Sequence, residues 1–284
     1  RYWRLADIGH QIILKSKQSV TTAASLKICI ENYANEGYKI DQLQRKFEKE
    51  QMEVLQPNEA LIQLVKLVRS SYNSITEKIQ KVYQQLLVNE HWPVAGMITN
   101  SEVFTKYIQP LRKANTKTAF LLIDALRFEL GKELEEQLIK HFNINLIPSC
   151  AYLPTVTKFG MAALLPDAEK DLHLENHQGS LESFMGDKPL LTLSNRRDYL
   201  KEKLGDRCEI ISMDKLISTS AFDPIDLLHA PQIGLKFSIV NCQLSIINYQ
   251  FLNHVYFILS QHSSINPHYH SNCCLGYFFL FHIT

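Results

Sequence analysis

The stretch AFLLIDALRFELGKEL, residues 119–134, sets an unbroken apolar run, Ala119 to Ile123, against an acid, Asp124, and a helix-like pattern begins at once. Five apolar residues in a row fit a strand buried on both faces. From Leu126 to about Phe142, leucines at 126, 130, 134 and 138 share one helical face. A second apolar run, Ile144 to Ile147, completes strand, helix and strand. That order is a βαβ unit and predicts a parallel α/β sheet. The carboxylate at the junction has no packing task, so it asks for another explanation.

Upstream, residues 1–100 read as helical. After QPNEALIQ, the residues Leu61, Val65, Val68, Tyr72, Ile75, Ile79, Val82 and Leu86 recur at alternating spacings of four and three, with Pro57 and Asn58 as start signals. This stripe is read as helix-bundle packing. A second helix is expected from Ile40 to Leu55, with Leu43, Phe47 and Val54 facing inward. ANEGYK (34–39) and NEHWPVAG (89–96) are expected breaks. Downstream, PSCAYLPTVTKFGMAALLPD leads to a helix over Phe159–Leu165. A further helix is expected at Arg197–Leu204 and a short strand at Cys208–Ser212.

Composition narrows the class. The 284 residues carry a formal net charge of +1, which gives no direct nucleic-acid signal. Six scattered cysteines lack CxxC spacing, which predicts a reducing cytoplasm. Residues 233–284 hold one charged residue, Lys236, whereas the preceding 232 hold 58. Residues 237–260 have no charge, but six side-chain amides and imidazoles from Asn241 to His254 make a membrane span costly. No membrane is expected. The tail is read as aberrant, and the chain as part of something longer.

Two residues invite chemistry. Asp124 falls at the carboxyl end of a strand, where open parallel sheets bind ligands. Its oxygens suit a divalent cation, but an Asp there also serves as a helix N-cap. Thr157 precedes a helical run, where a hydroxyl meets unsatisfied N–H groups. It could cap that helix, as could Thr155, or act as a nucleophile once a metal or base activates it. A phospho-accepting receiver domain would use an Asp and a Thr too. It wants an earlier acidic pair, and the hundred residues upstream are helical.

Together the two stretches resemble the PglZ domain of BREX bacteriophage-exclusion systems. The first motif is Asp124-Ala125-Leu126-Arg127-Phe128-Glu129. The second runs from Pro154 through Thr155, Thr157 and Gly160-Met161-Ala162-Ala163 to Leu165-Pro166. The resemblance is close over about 117–167 and looser over 1–230, including the SNRRDYL stretch at Arg196 and Arg197. It implies an alkaline-phosphatase-like α/β domain with two divalent metal ions, commonly zinc, at the strand ends. Asp124 would be an early metal ligand. Thr157 would be the metal-activated nucleophile that attacks phosphorus, itself touching a metal. Arg127 and Lys158 are conceivable phosphate neighbours.

The departures are as informative. The superfamily's later ligands, an Asp-His pair and a further His or Asp, have no counterpart. No Asp-His dipeptide occurs, and the tail offers His254, His262, His268, His270 and His282 without a carboxylate. The expected organisation is a helical region at 1–110, a partial alkaline-phosphatase-like α/β domain at 111–232, and a charge-poor tail at 233–284. The expected function is metal-dependent phosphoester hydrolysis in bacterial phage exclusion, with the site incomplete here and other defence proteins as partners. The alternative is a non-catalytic scaffold of the same assembly.

Overall fold

The computed structural model describes residues 1–19, 22–116, 118–124, 127–140, 144–212, 233–238, 254–260 and 277–283. It falls into two compact units. Arg1–Gly96 and the short stretch Phe128–Leu130 belong to the first; Met97–Arg127, Gly131–Ser263 and Cys274–Thr284 belong to the second.

The first unit is helical: α1 (Tyr2–Gln18), α2 (Leu26–Asn32), α3 (Tyr38–Met52) and α4 (Glu59–Glu90). Asn58 starts α4 as its sequence signalled, its Oδ1 accepting from the Leu61 N–H at 2.9 Å. The α4 stripe is buried from Leu61 to Ile75. Beyond that Ile79, Val82 and Leu86 are half-buried, and Tyr83 is buried instead. The inward face joins Leu5 and Ile12 of α1 and Ile40 and Phe47 of α3 in one apolar core. ANEGYK is not a break. The chain passes through it as a π-helical turn, Tyr33–Gly37. Two tyrosines brace the junction on one carboxylate: the Tyr33 and Tyr72 hydroxyls donate to Asp41 at 2.6 and 2.8 Å. Gly37 serves close packing, because a Cβ there would stand 3.0 Å from the Tyr33 ring. NEHWPVAG does end a helix, with His91 at φ 64° directly after α4.

The second unit is α/β. After α5 (Gln109–Lys113), β1 (Thr118–Asp124) leads into α6 (Phe128–Leu138) and β2 (Ile144–Cys150). Leu134 and Leu138 of the expected leucine face are buried, and Leu126 lies outside the described residues. Then come α7 (Thr157–Ala163), α8 (Ala168–Asp171), and the strands β3 (Leu172–His177), β4 (Ser180–Met185) and β5 (Lys188–Pro189). The remaining elements are α9 (Leu193–Leu204), β6 (Cys208–Ser212), β7 (Ile233–Ser238), β8 (His254–Ser260) and β9 (Tyr277–Ile283).

Six strands form a sheet in the order β2-β9-β8-β1-β7-β6. Neighbours from β8 through β1 and β7 to β6 are parallel, whereas β9 is antiparallel to both β8 and β2. Two reversals leave β2 running with β1, so the expected βαβ unit forms with two strands inserted in it. The expected parallel α/β sheet is present, with β9 as an antiparallel strand in it. β9 comes after β8 in the chain and lies beside it, which an antiparallel pair permits without a crossover. Half of the sheet comes from the charge-poor tail. Strands interior to a mixed sheet read as continuous apolar runs, and HVYFILS and YFFLFHI do so.

β3, β4 and β5 form a separate antiparallel sheet that is absent from the expected organisation. Its signal was present. LHLENH and SLESFM alternate, and between them Gln178 and Gly179 both take positive φ, with Asn176 Oδ1 accepting from the Gly179 N–H at 2.9 Å. No described helix is long and apolar enough to cross a membrane.

One glycine of the first unit reports on helix packing. A Cβ on Gly9 of α1 would lie 2.8 Å from Val68 Cγ2 on α4, a stiff β-branched side chain. Gly→Ala in a free helix stabilises. Here Gly9→Ala is expected to destabilise by about 1–3 kcal/mol through overpacking, read as a lower midpoint in thermal denaturation of the intact chain. An unchanged or higher midpoint would show that α1 and α4 do not pack this closely.

Candidate functional site

β1 sets the frame of the site. Phe120, Leu121, Leu122 and Ile123 are all buried, so both faces of the strand are covered. Phe120 and Leu122 enter a core with Met161 and Ala162 of α7 and Tyr199, Leu200 and Leu204 of α9. The Phe120 ring meets Phe104 edge-on, centroids 6.1 Å apart. The strand is paired on both sides through Ile123, to β7 and β8, and its last residue is paired to β8. That residue is Asp124, opposite Ser260 of β8. The structure describes Asp124 by its backbone.

Asp124 is not the N-cap of α6. That place belongs to half-buried Arg127, whose side chain makes no cap hydrogen bond. α7 gives a parallel result. It begins at Thr157 itself, and its N-cap residue is Val156 rather than Thr155 or Thr157. Thr157 is half-buried at the first helical position, and α7 runs beside β8, the strand next to β1.

The basic residues near the motifs have other work. The Lys158 ammonium donates to the Leu181 carbonyl at 2.7 Å and lies 4.7 Å from the Phe159 ring centre, which ties α7 to β4. Arg196 is buried, and its guanidinium donates to the Leu190 and Leu191 carbonyls at 2.9 and 3.3 Å, fastening the start of α9. The Tyr199 hydroxyl donates to the Pro166 carbonyl at 3.2 Å and Asp167 Oδ2 at 3.3 Å. Burial first, and then the Asp167 carboxylate, push its pKa well above the ordinary tyrosine range. It remains a donor that pins the end of the second motif to α9. A capping box, Thr192 with Asn195, starts α9 four residues earlier than expected.

The tail histidines divide. His262, His268 and His270 lie outside the described residues. His254 pairs with Thr118, at the opposite end of β1 from Asp124. Six residues of strand place it about 20 Å from that edge. His282 sits opposite Tyr256, toward the same far end. Neither can complete a centre at Asp124.

Among the described residues, no group of three or more His, Cys, Asp or Glu side chains is arranged to hold a metal ion. A carboxylate and a hydroxyl are donors that suit a divalent cation, but they are only part of what a two-ion centre needs. The cavity in the first unit, about 280 Å³ and lined by Cys29, Tyr33, Ile40, Ile79 and Val82 among others, includes none of these residues. Burial raises the pKa of its Cys29 thiol, which keeps that group protonated.

Residues 103–233 match the family model described as the BREX system PglZ alkaline phosphatase-like domain. The resemblance carried by the two motifs is thus borne out over that segment. The chain is similar to the "Alkaline phosphatase-like protein PglZ" of Bacillus cereus, 24% identical over 115 residues that make up 34% of this chain and 14% of the relative. It is also similar to the "Alkaline phosphatase-like protein BrxZ" of Escherichia coli, 35% identical over 79 residues, 26% of this chain and 9% of the relative. The matched stretch is a small fraction of either relative.

The Arg196 contacts make a direct prediction. Arg196→Ala is expected to cost about 1.5–3 kcal/mol of stability, the worth of charged hydrogen bonds to buried carbonyls. It should leave affinity for inorganic phosphate unchanged. Chemical denaturation with a phosphate-binding titration checks both, and lost phosphate binding in a folded variant would make Arg196 an anion ligand instead.

Proposed function

We propose that residues 103–233 form a metal-dependent phosphoester hydrolase domain, with Asp124 as a metal ligand and Thr157 as both nucleophile and metal contact. The observation that supports this most is the position of Asp124. It ends a doubly paired, doubly buried parallel strand inside the PglZ match, and Arg127, not Asp124, is the N-cap residue of the helix that follows. A rigid strand end is where a ligand or reacting group is best preorganised. Thr157 begins α7, in the second motif of the same match.

Two divalent ions, zinc by the family's habit, would polarise the phosphoryl group and lower the hydroxyl pKa when bound. The chain's own residues would do the rest. Asp124 would supply an anionic oxygen from the end of a paired strand. Thr157 supplies the attacking oxygen, which needs such activation because a free threonine hydroxyl is a weak nucleophile. We further infer a bacterial cytoplasmic setting among other phage-defence proteins.

A second reading, a non-catalytic scaffold in the same assembly, is favoured by one observation: the described residues hold no complete metal-holding group. One set of measurements separates the two. Zinc or manganese binding is followed by calorimetry, and hydrolysis of p-nitrophenyl phosphate and its bis-ester is followed with each metal. The hydrolase reading expects Asp124→Asn to weaken metal binding at least tenfold. It expects Thr157→Ala to lower turnover at least about a hundredfold, and Thr157→Ser to retain much of it. Metal affinity and turnover indifferent to all three changes would sink the assignment. Complete inactivity with both metals would support the scaffold.

A further inference from the structure

The first motif, Asp124 to Glu129, offers two acids, and the structure treats them differently. Asp124 ends β1, whereas Phe128 and Glu129 begin α6 and belong with the helical unit. Phe128 is 2% exposed and Glu129 is fully buried. Both are met by one face of α3, on which Tyr38, Gln42 and Arg45 recur at spacings of four and three. The Phe128 ring lies edge-on to Tyr38 and tilted against Tyr33, with 5.6 Å between centroids in each pair. Gln42 Nε2 donates to the Glu129 carbonyl at 3.1 Å. Arg45 Nε stands 3.9 Å from Glu129 Oε1.

The slot that takes Phe128 is itself built. The Tyr33 ring comes from the π-helical turn, packed over Gly37, and its hydroxyl is held by Asp41 of α3. π-helical turns within helices are frequent at functional sites, and this one brings a ring to the motif. A buried carboxylate is tolerated only beside positive charge and donors. Glu129 has the Arg45 guanidinium and the positive first turn of α6. Its charge is therefore matched within the helical unit. Only three residues separate Asp124 from Phe128, a link that reaches about 14 Å at most over its four Cα steps. A shift or rotation of the first turn of α6 acts on the strand end through that short link.

We propose that Phe128 and Glu129 are positioning residues for Asp124, and that Tyr38, Gln42 and Arg45 of α3 are the grip that holds them. α3 then has a task in the reaction: it fixes the first turn of the helix that follows the metal ligand. This rests on the reading of Asp124 as that ligand.

The test is zinc calorimetry on the intact chain, with the thermal midpoint measured without metal. Phe128→Leu keeps apolar volume but removes the ring contacts, and Gln42→Ala removes the donor to the Glu129 carbonyl. Each is expected to weaken the Asp124-dependent binding event at least about threefold. Arg45→Met should do the same, and Arg45→Lys, which keeps the charge, should recover most of the loss. Glu48→Gln breaks the pair with Arg69 on the same helix. It should lower the midpoint and leave zinc affinity unchanged. Unchanged zinc affinity in Phe128→Leu and Gln42→Ala, with or without a lowered midpoint, overturns the proposal alone while Asp124→Asn still abolishes binding. Zinc binding that is absent, or indifferent to Asp124→Asn, overturns it together with the metal-ligand reading.

Discussion

Everything in the second unit is arranged around the double burial of β1. A strand covered on both faces and paired on both edges has one place left for a charged residue, its end. Phe120 through Ile123 fill the covered positions, and Asp124 occupies the first position past them. An ionised carboxylate one residue earlier would be buried against apolar side chains, at a cost of several kcal/mol. The acid therefore marks where the strand leaves the core. The same constraint holds the backbone that leads up to it from both sides.

How legible each feature was in the sequence depends on how local its signal is. The α4 stripe, its Asn58 cap and the apolar run of β1 are periodicities within one segment, and a helix or strand shows them whatever it packs against. The β1–α6–β2 order was equally readable. The identity of β1's neighbours was not. They come from more than a hundred residues away, and nothing in AFLLID specifies pairing with IGLKFS or HVYFILS. ANEGYK misled for a different reason. A glycine is usually read as freedom of backbone, whereas Gly37 is there because the Tyr33 ring leaves no room for a Cβ. The β3–β4 hairpin was missed although its alternation and its Gln178-Gly179 turn were visible, because a charged, exposed hairpin adds little apolar signal.

At the candidate site, the motif residues separate by what their neighbours allow. Lys158 and Arg196 look like anion-binding groups when read as letters, but their donors go to the carbonyls of Leu181, Leu190 and Leu191. They position α7 and α9, and through Tyr199 the end of the second motif is fixed as well. Asp124 and Thr157 stand next to helix starts whose N-cap residues are Arg127 and Val156. A sequence can nominate all four residues. Packing shows that Lys158 and Arg196 are committed to holding backbone in place.

Strand direction also constrains where further donors could arise. β6, β7 and β8 run parallel to β1 and end at Ser212, Ser238 and Ser260. Asp124 therefore stands at a sheet edge where the neighbouring parallel strands end in serine, a residue with a neutral hydroxyl. Such groups hydrogen-bond phosphate oxygens well but bind zinc-class ions poorly beside carboxylate or imidazole. After β7 and β8 the sequence has no acid, and after β8 it has His262, His268 and His270; after β6 it carries Asp214, Asp223, Asp226 and His229 within twenty residues.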